Sequence, residues 1–197
     1  MIQHKSDSSA QRGFTMIETM IAIAIMSIGI LTLIAAFATA VNATANAQQN
    51  LIARQKTLEA MESIYTARNT QQISFAQIAN TTSGGIFTSG PVPLLCAGPD
   101  GLVNTSDDVN CPASGPCVAG PECVVLPGPD GILGTADDKA MSLGNFTRQI
   151  QIGTVLEADG VTIDPNLKQV TVTISYVSGG SSVPHSYSVN ALISAFR

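Results

Sequence analysis

Tryptophan is absent from the 197 residues, and there are only two His, three Tyr and six Phe. Positive charge is scarce as well. Nine Lys and Arg stand against fourteen Asp and Glu, for a formal net charge of −5. Such a balance provides no basic field to meet phosphates, so no nucleic-acid partner is expected. Charged residues make up 12 % of the chain and hydrophobic ones 45 %. Intrinsic disorder needs the opposite, low hydrophobicity with high charge. Catalysis has few groups to work with. His4 lies in the leader, and His185 stands beside Ser186, which is not a nucleophile–base arrangement. There is no G-x-S-x-G elbow, P-loop or dinucleotide fingerprint, and no enzyme is expected. The length suits one domain, or one domain with an appendage.

Charge is missing altogether from Thr19 to Ala53, 35 positions in a row. Within that run, Met20 to Val41 spans 22 residues whose only polar side chains are Ser27, Thr32 and Thr39. A helix crossing the bilayer core needs about 20 such residues. A buried helix of a globular domain normally keeps a polar face, whereas this one is apolar all round. A membrane span is therefore expected. Ahead of it lie Lys5 and Arg12, then Gly13 and Phe14. An ordinary secretory signal is cut after its apolar region. Here the small-residue junction comes before it, so a cut at Gly13 would leave the apolar helix in the product. Glu18 is the misfit. A carboxylate in hydrocarbon costs about 2.5 to 3.5 kcal/mol on the lenient insertion scale. Either it sits at headgroup level, where the helix N-terminus favours an anion, or it pairs with a cation from another chain. Cleavage after Gly13 would create such a cation, the α-amine of Phe14.

The string Arg12-Gly13-Phe14-Thr15-Met16-Ile17-Glu18 resembles the class III signal of type IV prepilins and type II secretion pseudopilins. The resemblance implies that prepilin peptidase cuts between Gly13 and Phe14 and methylates Phe14, and that Glu18 is the assembly carboxylate. Ser27-Ile28-Gly29-Ile30-Leu31, and more weakly the closing Ala191-Leu192-Ile193, resemble PilV-type minor pilins, the type IV pilus modification proteins. Many major pilins carry a Pro within the span, and none occurs between Phe14 and Gly90. The implied function is a minor pilin, a subunit of a type IV pilus packed through its N-terminal helix. A minor pseudopilin of a type II secretion system and a membrane-anchored calcium-binding surface module are the alternatives. The implied partners are prepilin peptidase, other pilins or pseudopilins, and inner-membrane lipid. The implied location is a single-pass protein of the inner membrane with a periplasmic C-terminal domain, then the pilus or cell surface. Loss of the leader, net +1 from Lys5, Arg12 and Asp7, would leave 184 residues with charge −6.

The expected fold is α+β and type IV pilin-like. It comprises a leader over 1–13, a transmembrane helix segment over 14–41 and its amphipathic continuation over 42–68. A loop-rich acidic insert over 69–144 and an antiparallel sheet over 145–197 follow. Leu51, Leu58, Met61 and Tyr65 share one helical stripe, expected to face the sheet. Arg54, Lys56, Glu59, Glu62 and Arg68 lie off it, as a solvated face would. Ser74 with Gln77 forms a capping-box pattern, suggesting a short helix through Asn80, and Thr81 to Pro93 reads as loop. Phe146, Arg148, Ile150 and Ile152 alternate with Thr147, Gln149 and Gln151. Val170, Val172, Ile174 and Tyr176 alternate with Thr171, Thr173 and Ser175, and Tyr187, Val189, Ala191 and Ile193 with Ser188, Asn190 and Leu192. These are strands with one apolar face each, the last two flanking the Ser178–Ser182 turn.

Between Asn69 and Asp138 there are seven acidic residues and no basic one. Gly98-Pro99-Asp100-Gly101-Leu102-Val103-Asn104-Thr105-Ser106-Asp107-Asp108 recurs thirty residues later as Gly128-Pro129-Asp130-Gly131-Ile132-Leu133-Gly134-Thr135-Ala136-Asp137-Asp138, identical at seven of eleven positions. Pro-Asp-Gly is turn chemistry, which leaves the paired aspartates unexplained. Oxygen-only ligands suit a hard cation, and Ca²⁺ takes six to eight oxygens. The repeats resemble acidic Gly-Asp-Gly loops of bacterial calcium-binding surface repeats, without the closing Glu of an EF-hand. Candidate Ca²⁺ ligands are Asp100, Asn104, Asp107 and Asp108 in one loop and Asp130, Asp137 and Asp138 in the other. A solvated acidic turn is the competing reading. Cys96, Cys111, Cys117 and Cys123 leave gaps of fourteen, five and five residues, without the C-x₂₋₄-C knuckle of a zinc site. If the prepilin reading holds, the insert lies outside the cytoplasm, and two disulfides are expected, with three connectivities open.

Overall fold

Residues 13–178 and 183–196 are described in the computed structural model of the chain. His4, Lys5, Asp7, Arg12 and the Gly179–Ser182 part of the expected turn lie outside the described residues. The charge-free run folds into one helix, α1 (Met16–Asn69). Its start is a cap: the Glu18 amide, a first-turn N–H, donates to the Thr15 carbonyl at 3.1 Å and to the Thr15 hydroxyl oxygen at 3.3 Å. At its end Gln71 takes a left-handed φ of 66°, with no Gly or Pro nearby to announce the stop.

The chain falls into two compact units, Met1–Thr44 and Ala45–Arg197. In the first, the described residues are exposed throughout, including Ile17, Met20, Ile21, Ile25 and Phe37. By length and composition α1 can cross a membrane.

In the second unit, the C-terminal part of α1 packs on an antiparallel sheet. The buried positions are Ile52, Ala53, Thr57, Ala60, Met61, Ile64, Ala67 and Arg68. This corrects the expected stripe, because Leu51 is 64 % and Leu58 46 % exposed. The inward line runs instead through Ala53, Ala60 and Ala67, each at most 1 % exposed. Ile64, between them and 1 % exposed, contributes about 1.5 to 3 kcal/mol of burial. The supposed solvated face is also corrected at two positions. Lys56 is half-buried, and Arg68 is buried with Nη2 donating to the Ala195 carbonyl at 2.7 Å.

The sheet is ordered β1-β4-β5-β6, from β1 (Val92–Pro93), β4 (Phe146–Leu156), β5 (Ile163–Val177) and β6 (Pro184–Ser194). All three expected strands form, with β4 and β5 running on past Ile152 through a register shift at Thr154/Val155. Their apolar rows point to the helix. Ile150, Val170, Val172 and Ile193 join one core cluster with Ala60 and Ile64, while Phe146, Ile174 and Tyr176 join a second with Ile52 and Ala53. The rings of Phe146 and Tyr176 stack at 5.1 Å, and His185 lies against Tyr176 at 5.5 Å.

The segment after α1 departs from expectation. Ser74 and Gln77 make their reciprocal bonds, with the Ser74 amide donating to Gln77 Oε1 at 2.8 Å and the Gln77 amide to Ser74 Oγ at 3.4 Å. Only a turn follows, not a helix. Backbone carbonyls here go to a tertiary partner instead: Lys168 Nζ donates to Phe75 O at 2.9 Å and to Ile78 O at 2.8 Å. The expected loop over 81–93 holds a single 3₁₀ turn, Thr81–Ser83, and the edge strand β1.

The insert carries its own hairpin, β2 (Cys123–Leu126) with β3 (Lys139–Ser142). Its four cysteines form two disulfides, Cys96–Cys111 and Cys117–Cys123. Cross-links of this kind hold a Gly/Pro-rich segment that has little core of its own.

Candidate functional site

At the N-terminal end, Gly13, Phe14 and Thr15 precede the helix and are all exposed, Phe14 to 81 %. A peptidase would meet the Gly13–Phe14 bond in non-helical, uncovered chain. Glu18 is the third helical residue, in the first turn of α1. Its side chain is exposed and has no hydrogen-bond or ion-pair partner among the described residues. The helix N-terminus favours a carboxylate there. Thr15-x-x-Glu18 is also a capping-box spacing, a signal the sequence reading passed over.

The two acidic repeats occupy equivalent places. Each is the tip of a hairpin whose flanking residues pair in the same relative register, Cys96 with Val109 and Leu126 with Lys139. In the first, Asp100 Oδ1 accepts the Leu102 amide at 2.8 Å, and Asp108 Oδ2 accepts the Asn104 amide at 2.7 Å. Asp107 accepts the Thr105 hydroxyl at 2.6 Å on one oxygen and the Asp100 amide at 3.3 Å on the other. In the second, Asp130 takes Ile132 at 2.9 Å, Asp138 takes Gly134 at 2.7 Å, and Asp137 takes Thr135 at 2.6 Å and Asp130 at 3.3 Å. The paired aspartates therefore do have a role in the turn: they satisfy its own N–H and O–H groups. Asn104 and Gly134 correspond, at φ 67° and 90°, a conformation open to Asn and Gly. The hydroxyl of Thr105 holds the Asp107 carboxyl below its usual range, and that of Thr135 does the same for Asp137.

The copies differ in surroundings. The first is docked: Asn104 is 0 % exposed and its Nδ2 donates to Thr88 O at 3.0 Å. Gln72 Nε2 donates to Asp100 O. The second copy is exposed apart from half-buried Gly128 and Asp138. Among the described residues no group of three or more His, Cys, Asp or Glu converges as a metal cluster. One oxygen of Asp138, Oδ1, is buried without a hydrogen-bond partner.

Beside the first loop lies a charge network. Arg148 of β4 is 2 % exposed, and its Nη1 meets Glu122 Oε1 at 3.2 Å. Glu122 Oε2 meets Lys56 Nζ at 2.6 Å, and Lys56 meets Glu59 at 2.9 Å. Arg148 Nη2 lies 3.9 Å from Asp108 Oδ2 and donates to Leu95 O at 3.4 Å. Burial lowers the Lys56 pKa, but bonds to Glu122 and Glu59 outweigh it and hold the group above its usual value. Burial raises the Asp108 carboxyl, only partly offset by the amides of Asn104 and Thr105 and by Arg148. Lys56, Glu59, Glu122 and Arg148 border a cavity of about 500 Å³ that both disulfides also line. The signal for this network was in the sequence: Arg148 falls on the apolar row of its strand.

Residues 8–34 match the prokaryotic N-terminal methylation motif. Neither the comparison with curated proteins nor that with solved structures found a match. The matched stretch takes in the Gly13–Phe14 junction, Glu18 and the first part of the apolar run, and the helix it opens is long and apolar enough to cross a membrane.

Proposed function

We infer that the chain is a minor pilin, a structural and assembly subunit of a type IV pilus. Prepilin peptidase cleaves between Gly13 and Phe14 and methylates Phe14. The span then holds the subunit in the inner membrane, with the C-terminal domain in the periplasm, until assembly draws it into the filament. The observation that carries this reading is the coincidence of the methylation motif at 8–34 with an exposed, unpartnered Glu18 at the head of an exposed apolar helix. In a filament, neighbouring helices bury that surface, and the Phe14 amine of one subunit neutralises Glu18 of the next. Glu18→Ala should be inserted and processed normally yet depleted in sheared pilus fractions. Normal assembly of this variant removes the ion pair from the account. A minor pseudopilin of a type II secretion system satisfies the same N-terminal observations. Loss of twitching or adhesion on deletion favours the pilus, and loss of exoprotein secretion favours the pseudopilus.

A separate proposal concerns Ca²⁺. The unpartnered Asp138 Oδ1 supports a cation in the second acidic loop, with Asp130 and Asp137 of the same loop as the other candidate ligands; Asp100, Asn104, Asp107 and Asp108 are the corresponding set in the first. Calorimetry on the full chain in detergent should give Ca²⁺ heat that vanishes in Asp137→Ala/Asp138→Ala. Absence of heat with the wild type ends that proposal.

A further inference from the structure

Lys56, Arg68, Arg148 and Lys168 are the Lys and Arg residues of the second unit that are buried or half-buried. Three of them have their charge answered. Lys56 and Arg148 share Glu122, with Glu59 and Asp108 beside them. Lys168 Nζ donates to the Phe75 and Ile78 carbonyls and stands 4.7 Å from the centre of the Phe75 ring.

Arg68 is the exception. It is 8 % exposed, and no carboxylate among the described residues lies within ion-pair distance of it. Its Nη2 donates to Ala195 O at 2.7 Å, while its Nε is buried without an acceptor. A guanidinium keeps its charge at any working pH, and arginine is rarely buried this far unless paired. Arg68 does lie in the last turn of α1, where the helix dipole favours a cation. The carbonyls there are already taken, however. Thr66 O accepts the Thr70 amide at 2.9 Å, Ala67 O the Ile73 amide at 3.2 Å and Arg68 O the Gln71 amide at 3.3 Å. Tying α1 to the end of the sheet accounts for Nη2 and leaves Nε and the net charge unmatched.

Arg68 borders a pocket of about 120 Å³ between the end of α1 and the last residues of β6. Arg68 is the one charged residue in its wall, so nothing there repels an anion. Ser194 Oγ accepts the Phe196 amide at 3.0 Å, which leaves its hydroxyl proton to donate elsewhere. Asn69 adds a carboxamide, and the exposed Leu192 and Phe196 add apolar flanks.

We propose that this pocket binds a carboxylate on a short aliphatic stem, with Arg68 as its counter-ion. A single positive charge matches a monoanion. A phosphate dianion would leave negative charge unmatched in a chain of net −5. A neutral amide would serve Nε but not the charge. The pocket is also well below the roughly 300 to 1,000 Å³ that encloses larger organic ligands. The side chain of an Asp or Glu from another polypeptide and a free small carboxylate share this chemistry.

The test titrates sodium propionate into the full chain in detergent micelles and follows the Arg68 Nε–H signal by NMR. A saturable shift is expected, with affinity at least about tenfold above that for propionamide, because hydrogen bonds between two charged groups are the stronger kind. Sodium chloride at the same ionic strength should give no saturable shift. In Arg68→Gln the propionate response of the Ser194 amide should vanish. Arg68→Lys, which keeps the charge without the planar fork, should weaken it. Dispersed amide spectra check that both variants fold; if Arg68→Gln does not, the wild type and Arg68→Lys decide. Given that binding, the amount of Arg68→Gln in sheared pilus fractions separates the two sources. Depletion assigns the carboxylate to a neighbouring subunit, and normal incorporation assigns it to a free ligand. That arm alone rests on the filament-subunit reading. No saturable shift with propionate, or an equal one with propionamide or chloride, overturns the proposal. So does a slowly exchanging Nε–H that ignores propionate, because another group of the chain then already holds Arg68.

Discussion

Arg148 Nη1 donates to Glu122 Oε1 at 3.2 Å, which joins the middle of the sheet to the insert through a side chain only 2 % exposed. With Lys56 on the far oxygen of Glu122 and Asp108 near Nη2, one buried cation ties together α1, the insert and β4. Buried pairs repay their desolvation only when complete, and removing one partner typically costs about 3 to 5 kcal/mol. Arg148→Met should lower the stability of the full chain by that order in guanidinium titrations followed by near-UV circular dichroism. Adding Asp108→Asn to Arg148→Met should cost less than the sum of the two single changes, because the second carboxylate no longer needs a cation.

Lys56 sets a pH limit on the same network. Its folded pKa is raised, so its contribution to stability is complete below the unfolded value of about 10.4 and is lost as pH rises through the folded one. Denaturation midpoints should therefore fall on the alkaline side, and the fall should be shallower in Lys56→Met. Equal slopes in the two proteins would assign the alkaline loss elsewhere.

The acidic repeats make a matched pair of substitutions. A Cβ on Gly98 would stand 2.4 Å from the Asp107 carbonyl oxygen, and one on Gly128 2.4 Å from that of Asp137. Both loops must shift to admit Ala, but only the first is held by Asn104 and Gln72. Gly98→Ala should cost about 1 to 3 kcal/mol, the usual range for overpacking. Gly128→Ala should cost less, because its loop is free to relax. Thermal unfolding of the two variants side by side checks the order.

Much of this architecture was legible in the residues. The charge-free run announced α1, and period-two alternation announced β4, β5 and β6 with the correct face inward. What was hidden has physical reasons. Leu51 and Leu58 look like a core stripe, but the buried line of α1 runs through Ala53, Ala60 and Ala67, small residues that stand out less in a hydrophobic pattern. Ser74 and Gln77 formed their bonds without a helix, because Lys168 drew the following carbonyls to the sheet. The amide and hydroxyl partners that the paired aspartates find inside their own turns leave no mark in sequence. Arg148 stood openly among apolar alternates, but its partners Asp108 and Glu122, 40 and 26 residues away, and Lys56 on the far side of Glu122, come together only on folding. At the N-terminus nothing had to be folded to be read, since Gly13, Phe14 and Glu18 form a local signal.

The central claim is that the working protein begins at Phe14, with its leader removed and its amine exposed for a neighbouring Glu18. Intact mass spectrometry of the chain purified from membranes measures this directly. The account predicts a mass short of the full sequence by thirteen residues, increased by one methyl group and lacking four thiol hydrogens for the two disulfides. A mass corresponding to the unprocessed chain, with Met1 to Gly13 retained, would contradict it.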